Sequence, residues 1–275
     1  MTILVTGATG TVGRHVTELL AQRGAQVRAL TRSPEQAKAK LPEGVQIAAG
    51  DLMRPETLRD ALLGVEAMFL IISSDEPGAD LNTDPQVVAL AEAAGVKRVV
   101  VLVGYEEGPA EAALRASGMQ WTLVKPVEFM ANALADWRYM IRTEGVVREF
   151  YGGALSAKVH EGDIAAVAVA ALLEDGHHEQ SYELTGPQAI TRKQAVETLS
   201  AVIGKDIPFI ELTEEEARRQ WHEQGYDAES IEFFVQMAAY TPEAGFTVQS
   251  TVERVLGRPA RTFAEWATEH QREFL

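Results

Sequence analysis

Three glycines lie three residues apart in the segment 7–13, between a short apolar run and a helix-like run. Glycine has no Cβ, so a phosphate can approach the backbone closely while the N–H groups of the following helix point at it. In this strand–turn–helix context, the spacing predicts a site for the pyrophosphate of a dinucleotide. The residues that we expect to form it are Gly7, Thr9, Gly10, Thr11, Val12 and Gly13.

The end of the second apolar run predicts which dinucleotide is bound. Sites that prefer NAD place an acidic residue here to bind the ribose hydroxyls, whereas this chain has Arg32 followed by Ser33. A guanidinium forms charge-assisted hydrogen bonds with a 2′-phosphate, which a carboxylate would repel. We therefore predict NADP(H) as the cofactor. The alternative is that Arg32 is a solvated surface arginine.

Other residues at the ends of the predicted strands complete the expected cofactor site. Asp51 and Leu52 follow the third strand, where Asp51 either accepts a hydrogen bond from the adenine amine or serves as a turn residue. The later strands end where ligands bind in open parallel sheets. The residues expected there are Ile72, Ser73, Ser74, Gly104, Lys125 and Pro126.

Two residues at this edge are candidates for catalysis. Tyr105 and Lys125 follow the fifth and sixth strands and are placed to stabilise developing negative charge. Alternatively, Lys125 holds the nicotinamide ribose and Tyr105 only lines the pocket. Residues beyond Lys125 either line an apolar acceptor pocket or belong to the core. The expected substrate-binding residues are Tyr105, Phe129, Met130, Trp137 and His160.

The elements that must position these residues alternate between apolar strands and helices up to Pro126. This alternation predicts an α/β fold of the Rossmann type, a doubly wound parallel sheet with helices on both faces. Residues 1–126 are the expected NADP(H)-binding domain, with strand 181–186 returning to it, and 127–275 are a smaller, mainly helical substrate lobe. The predicted strands are 2–6, 26–31, 46–49, 67–72, 98–103, 120–124, 181–184 and 208–211. The predicted helices are 12–23, 34–40, 55–63, 85–94, 109–117, 129–142, 162–173 and 191–203, with further amphipathic helix from 213.

Composition restricts the possible partners. A net charge of −15 argues against nucleic acid and anionic membranes, and the lack of cysteine excludes thiolate catalysis and thiolate metal sites. The histidines show no metal-ligand spacing, so no metal is expected. No targeting or membrane-spanning pattern is present, which favours a cytoplasmic monomer or homodimer acting on a small molecule.

Several motifs together resemble one known family. They are Val5-Thr-Gly-Ala-Thr-Gly-Thr-Val-Gly13, Thr31-Arg-Ser33, Gly50-Asp-Leu52, Val124-Lys-Pro126, Asp163-Ile-Ala-Ala and Tyr182-Glu-Leu-Thr-Gly186. The combination resembles the NmrA-like branch of the atypical short-chain dehydrogenases, over nearly the whole length. The resemblance implies a Rossmann domain for NADP(H) and a substrate lobe. It also implies either a quinone, dye or enone reductase or a regulator that binds the cofactor without turnover.

The chain departs from ordinary short-chain dehydrogenases in one respect. None of its six tyrosines is followed by a lysine four positions later, so the usual Tyr-Lys proton donor is missing. This argues against the alcohol dehydrogenase and sugar-nucleotide epimerase mechanism. We expect an NADPH-dependent reductase of a small, apolar, conjugated carbonyl, a quinone or a related aromatic acceptor. The alternative is a redox-sensing regulator that binds NADP(H) without catalysis.

Overall fold

The computed structural model of the chain describes residues 1–72, 81–104 and 107–275. Its strands are β1 (Thr2–Val5), β2 (Gln26–Thr31), β3 (Gln46–Ala49), β4 (Ala67–Ile71), β5 (Arg98–Leu102), β6 (Gln120–Pro126), β7 (Val147–Phe150), β8 (Leu155–Ser156), β9 (Gln180–Leu184), β10 (Ile190–Thr191) and β11 (Phe209–Leu212). Its helices are α1 (Gly13–Gln22), α2 (Pro34–Lys38), α3 (Arg59–Leu62), α4 (Gln86–Ala93), α5 (Pro109–Ala116), α6 (Asn132–Asp136), α7 (Arg138–Glu144), α8 (Glu161–Leu173), α9 (Arg192–Ile203), α10 (Glu214–Glu223), α11 (Ala228–Ala239), α12 (Thr251–Leu256) and α13 (Phe263–His270). Short 3₁₀ turns cover Pro55–Leu58, Glu243–Gly245 and Gln271–Glu273.

Seven strands form the central sheet, in the order β3-β2-β1-β4-β5-β6-β9. The pairs from β3 through to β6 are parallel, with Val5 opposite Ala29 on one side and Phe69 on the other. Strand order reverses at β1, so the crevice beyond the carboxyl end of β1 is the expected ligand position in this topology. This is the predicted Rossmann fold, and it places the glycine turn at that point.

By internal contacts the chain divides into two compact units, Met1–Pro126 with Glu161–Glu183, and Val127–His160 with Leu184–Leu275. The prediction put helix 162–173 in the substrate lobe, whereas the structure packs α8 in the first unit against α1, β4, β5 and β6. The physical reason is that α8 is apolar on nearly all sides and almost completely buried. Such a helix needs neighbours all round. The functional roles of the two units stay predictions.

The second unit has its own core and two short sheets. β7 pairs in parallel with β11, and β8 pairs antiparallel with β10. Helices α9 and α13 pack together, and their core includes Trp137, Phe263, Trp266 and Phe274. The sequence did not predict β7, because its Val-Arg-Glu-Phe pattern carries two charges at its centre.

One predicted helix, 129–142, is wrong at its start. Met130 N–H donates to the Val159 carbonyl over 2.9 Å, and Phe129 forms a parallel bridge with Val159. This pairing holds both residues in an extended connection, so helix formation begins only at Asn132, and α6 and α7 meet at Trp137.

Candidate functional site

The glycine turn after β1 is sterically reserved for glycine at two positions. Gly7 has a φ of +60°, a left-handed conformation that L side chains rarely adopt. Gly10 N–H donates to the Gly7 carbonyl oxygen over 2.9 Å, which closes the turn. A Cβ placed on Gly13 would lie 2.1 Å from that same oxygen, so no other residue fits there. Backbone conformation at Gly7 and crowding at Gly13 therefore explain why glycines stand at these two positions.

The first turn of α1 has no side-chain cap, although Arg14 N–H donates to the Gly10 carbonyl over 3.1 Å. Val12 occupies the N-cap position, and no side chain caps the helix or places a carboxylate in its first turn. Thr9 and Thr11 flank it as exposed residues. Uncapped N–H groups at a helix N-terminus carry partial positive charge and bind phosphates. The predicted pyrophosphate residues are thus brought together in a turn of suitable chemistry.

Arg32 and Ser33 lie at the end of β2, as the prediction requires. Both are exposed, and within the described residues Arg32 has no hydrogen bond or ion pair. Ser33 N–H donates to Thr31 Oγ1 over 3.0 Å, which bends the chain into α2. A guanidinium that is exposed and unpaired is available for an anionic ligand.

Asp51 fulfils the turn role that the sequence left open. Its Oδ1 accepts from Met53 N–H over 3.0 Å and its Oδ2 from Arg54 Nε over 3.1 Å. Leu52 is buried in the core of the first unit. Contact of either residue with adenine stays a prediction, and for Asp51 it would add to existing bonds.

The other predicted cofactor residues are only partly described. Ile72 is buried and its carbonyl accepts from Thr83 N–H over 3.0 Å, and Gly104 is half-buried after β5. The predicted residues Ser73, Ser74 and Tyr105 lie outside the described residues. The roles of these three residues therefore stay predictions from the sequence.

Lys125 forms an ion pair that the sequence did not predict. Its Nζ binds the carboxylate of Glu107, which also accepts from Arg115 Nη2 over 3.0 Å. The hydrogen bond from Lys125, together with Arg115, holds the pKa of Glu107 below its usual range. Lys125 therefore lies beside an ionised carboxylate at the end of β6, next to Pro126. The separation of 18 residues between the partners gave no local signal for the pair.

The four predicted substrate residues of the second unit differ in exposure. Phe129 is half-buried, whereas Met130 and Trp137 are core residues. His160 is also buried, and its Nε2 lies 3.1 Å from a carboxylate oxygen of Glu269 on α13. Burial and the contact with Glu269 therefore fix the position of the His160 ring. Their contact with substrate stays a prediction.

A network of charged side chains in the second unit surrounds Trp137. Lys158, 4% exposed, pairs with Glu128 and lies over the Trp137 ring, 5.9 Å from its centroid. Trp137 Nε1 donates to Glu149 over 3.2 Å, and Arg192 donates to Glu149 over 3.1 Å. Burial alone would raise the pKa of Glu128, but Lys158 and Arg192 outweigh it and hold the value below its usual range. For Glu149, burial prevails and raises its pKa.

Asp136, at the end of α6, is an exposed residue without a hydrogen bond in the described part of the chain. Desolvation, and after it the carboxylates of Glu149 and Glu128, shift the pKa of Asp136 upward. It lines a cleft of about 40 Å³ with Phe150 and Trp221. The sequence did not point to Asp136, because the neighbours that perturb it are distant along the chain.

Another cavity lies at the amino-terminal end of β5 and β6. It measures about 270 Å³ and its lining includes Arg98, Gln120 and His177. Arg98 donates to the carbonyls of Leu172 and Glu174 over 3.1 and 2.7 Å. Its guanidinium thus satisfies the C-terminal end of α8, and we assign this cavity a structural origin.

Within residues 1–72, 81–104 and 107–275, His, Asp and Glu side chains form no group of three that could hold a metal ion. Among the helices in those ranges, none combines the length and the hydrophobicity that crossing a bilayer requires.

Comparison with known proteins gives a family match to the first part of the chain and relatives that match over nearly its whole length. A family model described as NAD(P)H-binding matches residues 7–107. A Streptomyces griseus protein named (4-alkanoyl-5-oxo-2,5-dihydrofuran-3-yl)methyl phosphate reductase is 41% identical and covers 99% of both chains. The NAD(P)H azoreductase of Xenophilus azovorans is 36% identical, again with 99% of both chains covered.

Solved structures match over the same length. The Escherichia coli NADPH-dependent quinone oxidoreductase in complex with NADPH has a TM-score of 0.80 at 29% identity, and the match covers 98% of this chain and 99% of that one. The negative transcriptional regulator NmrA shares the fold, with a TM-score of 0.73 at 16% identity and coverage of 98% and 94%.

Proposed function

The chain belongs to the NmrA-like branch of the atypical short-chain dehydrogenases/reductases, and from that premise we propose that it reduces a small, apolar, conjugated acceptor with NADPH. The chain is an NAD(P)H-dependent oxidoreductase of the quinone, azo and dye reductase type. The observation that carries the proposal is the uncapped first turn of α1 behind a turn that only glycine can form.

The cofactor is NADP(H), as predicted. The residues present fit it, because the Gly13 position has no room for a side chain and Arg32 is exposed without a partner in the described part. We propose that the turn Gly7–Gly13 binds the pyrophosphate and that Arg32 binds the 2′-phosphate. Ser33 would add a hydroxyl donor beside it.

When bound, the nicotinamide supplies a hydride, that is, two electrons and a proton, to an electrophilic atom of the acceptor. Negative charge then develops on the acceptor and must be stabilised and neutralised by a proton. We propose that Lys125 orients the nicotinamide ribose, and that its pairing with Glu107 fixes the ammonium at the end of β6. A role for Tyr105 in stabilising that negative charge stays a prediction from the sequence.

The acceptor class is inferred from what the names of the relatives have in common. They name an azo compound, a quinone and an oxo-substituted dihydrofuran that carries an alkanoyl group. Azo nitrogens, quinone carbonyls and conjugated carbonyl compounds are all electron-poor π systems that accept a hydride without a prior proton transfer. A reductase without a Tyr-Lys dyad can act on such acceptors, because their reduced anions are well delocalised.

The test is oxidation of NADPH by the purified protein in the presence of a naphthoquinone, an azo dye, an enone lactone and a triphenylmethane dye. We expect turnover with at least one of them and a preference for NADPH over NADH. No turnover with any acceptor, while NADPH still binds, would refute the enzymatic proposal and favour the regulator alternative. Equal binding of oxidised and reduced cofactor would then count against the regulator as well.

A further inference from the structure

One face of β6 carries both Trp121 and Lys125. Side chains four positions apart in a strand lie on the same face of the sheet, about 13 Å from each other along the strand. Trp121 is 8% exposed and belongs to the core of the first unit, whereas the Lys125 side chain is 32% exposed at the end of the strand. A ring fixed by the core and a lysine open to solvent therefore share one face of β6.

Arg115, in α5, connects these two side chains. Its guanidinium lies over the Trp121 ring, 4.4 Å from the ring centroid, which is within the range of a cation–π contact. Its Nη2 donates to both carboxylate oxygens of Glu107, over 3.1 and 3.0 Å. Glu107 also accepts from Lys125 Nζ. The contacts thus run without a break from the Trp121 ring to the Lys125 ammonium, and all four residues belong to the first unit.

Arginine suits this position better than lysine would. A guanidinium is planar, so it can cover an aromatic face while its N–H groups point sideways to a carboxylate. The side chains of Arg115 and Glu107 are 38% and 32% exposed, and isolated ion pairs of such exposure contribute little. The pair of Glu107 with Lys125 would therefore restrict the ammonium only weakly by itself. The contact of Arg115 with a core ring gives the carboxylate a fixed neighbour.

We propose that Arg115 is a positioning residue for the nicotinamide half of NADP(H), acting through Glu107 on Lys125. The inference rests on the proposed function, in which Lys125 orients the nicotinamide ribose. An ammonium that is held in place before the cofactor arrives loses less conformational entropy on binding. Loss of Arg115 should therefore weaken binding of the nicotinamide half and leave the adenosine half unaffected.

Calorimetric titration with two ligands separates these halves. NADP⁺ contains the nicotinamide ribose, whereas adenosine 2′,5′-bisphosphate lacks it. In Arg115→Met we expect about threefold weaker binding of NADP⁺ and unchanged binding of the bisphosphate. Arg115→Lys should show the same loss, because it keeps the charge without the planar group. The matched control is Arg23→Met, which removes another ion-paired arginine of the first unit and should change neither affinity.

A double-mutant cycle tests the connection to Lys125. In the Lys125→Met background, Arg115→Met should have no further effect on NADP⁺ affinity, because the ammonium that it positions is gone. A loss of full size in that background would overturn the inference. Wild-type NADP⁺ affinity in Arg115→Met or in Arg115→Lys would overturn it as well, and so would equal losses for NADP⁺ and the bisphosphate.

The same titrations distinguish this inference from the proposed function. Unchanged NADP⁺ affinity in Lys125→Met would contradict the proposed role of Lys125, and this inference with it. Weaker binding in Lys125→Met beside wild-type binding in Arg115→Met would contradict the role of Arg115 alone. If Arg115→Met does not fold, Glu107→Gln removes the charge that both cations bind and should give the same selective loss of NADP⁺ affinity. Failure of the wild type to reduce any acceptor would contradict the enzymatic proposal, whereas these titrations test Arg115 without turnover.

Discussion

Replacing Arg32 tests how the chain distinguishes the two nicotinamide cofactors. Arg32 is exposed at the end of β2 and has no partner in the described part of the chain. Removing its side chain therefore leaves no buried group without a hydrogen bond, and the fold should be unaffected. In Arg32→Ala the 2′-phosphate loses its guanidinium, while a cofactor without that phosphate loses nothing.

The size of the effect follows from the exposure of the site. A hydrogen bond to a charged group contributes about 1.5–3 kcal/mol, and screening by solvent at an exposed arginine favours the lower end. About 1.5–2 kcal/mol corresponds to roughly 10–30-fold weaker NADPH binding. Arg32→Glu should weaken NADPH further, because a carboxylate repels the phosphate.

Calorimetric titration with NADPH and with NADH measures both affinities. We expect the NADH affinity of Arg32→Ala to stay within about twofold of the wild type, since its ribose carries no phosphate. Arg59→Ala, which removes an exposed arginine from α3, is the matched control and should change neither affinity. An unchanged ratio of NADPH to NADH affinity in Arg32→Ala would refute the assignment of this residue.

Two further changes test the turn and the ion pair of Lys158 with Glu128. Gly13→Ala places a Cβ 2.1 Å from the Gly7 carbonyl oxygen. We therefore expect at least about tenfold weaker cofactor binding by calorimetry and a free energy of unfolding lower by about 1–3 kcal/mol. An affinity equal to that of the wild type would show that the turn does not bind the pyrophosphate. Lys158→Met leaves the Glu128 carboxylate, one-third exposed, without its lysine partner, and should lower the free energy of unfolding in urea by about 2 kcal/mol at pH 7. Lys158 and Arg192 hold the pKa of Glu128 below its usual range, so the loss should shrink once the pH falls below that lowered pKa and the carboxylate is protonated. A loss of the same size in acid and at pH 7 would contradict this.

The sequence predicted most of the first unit because its signals are local. The strands around the glycine turn are short apolar runs, and their bounds at Gln26–Thr31 and Gln46–Ala49 are as predicted. The crowding between Gly7 and Gly13 depends on residues six positions apart, so the spacing alone identifies it. The fold and the cofactor could therefore be predicted, while the roles of single site residues stay predictions.

The sequence did not predict features that depend on contacts between distant residues. The ion pair of Lys125 with Glu107 and that of Lys158 with Glu128 join residues 18 and 30 positions apart. Arg192 likewise donates to the Phe150 carbonyl from 42 positions along the chain, and no local pattern connects the two. Each arises from tertiary packing, where propensity and periodicity carry no information.

The burial of α8 bears on how this protein is synthesised and on how it can be shortened. The first six strands leave the ribosome before α8 has been translated, so apolar surface that α8 covers in the first unit stays exposed until residue 173 has emerged. A fragment that ends at Pro126 would lack a helix whose Ile164, Ala165 and Val167 are completely buried. We expect such a fragment to aggregate, and a minimal nucleotide-binding fragment would have to keep residues 161–183 joined by a linker.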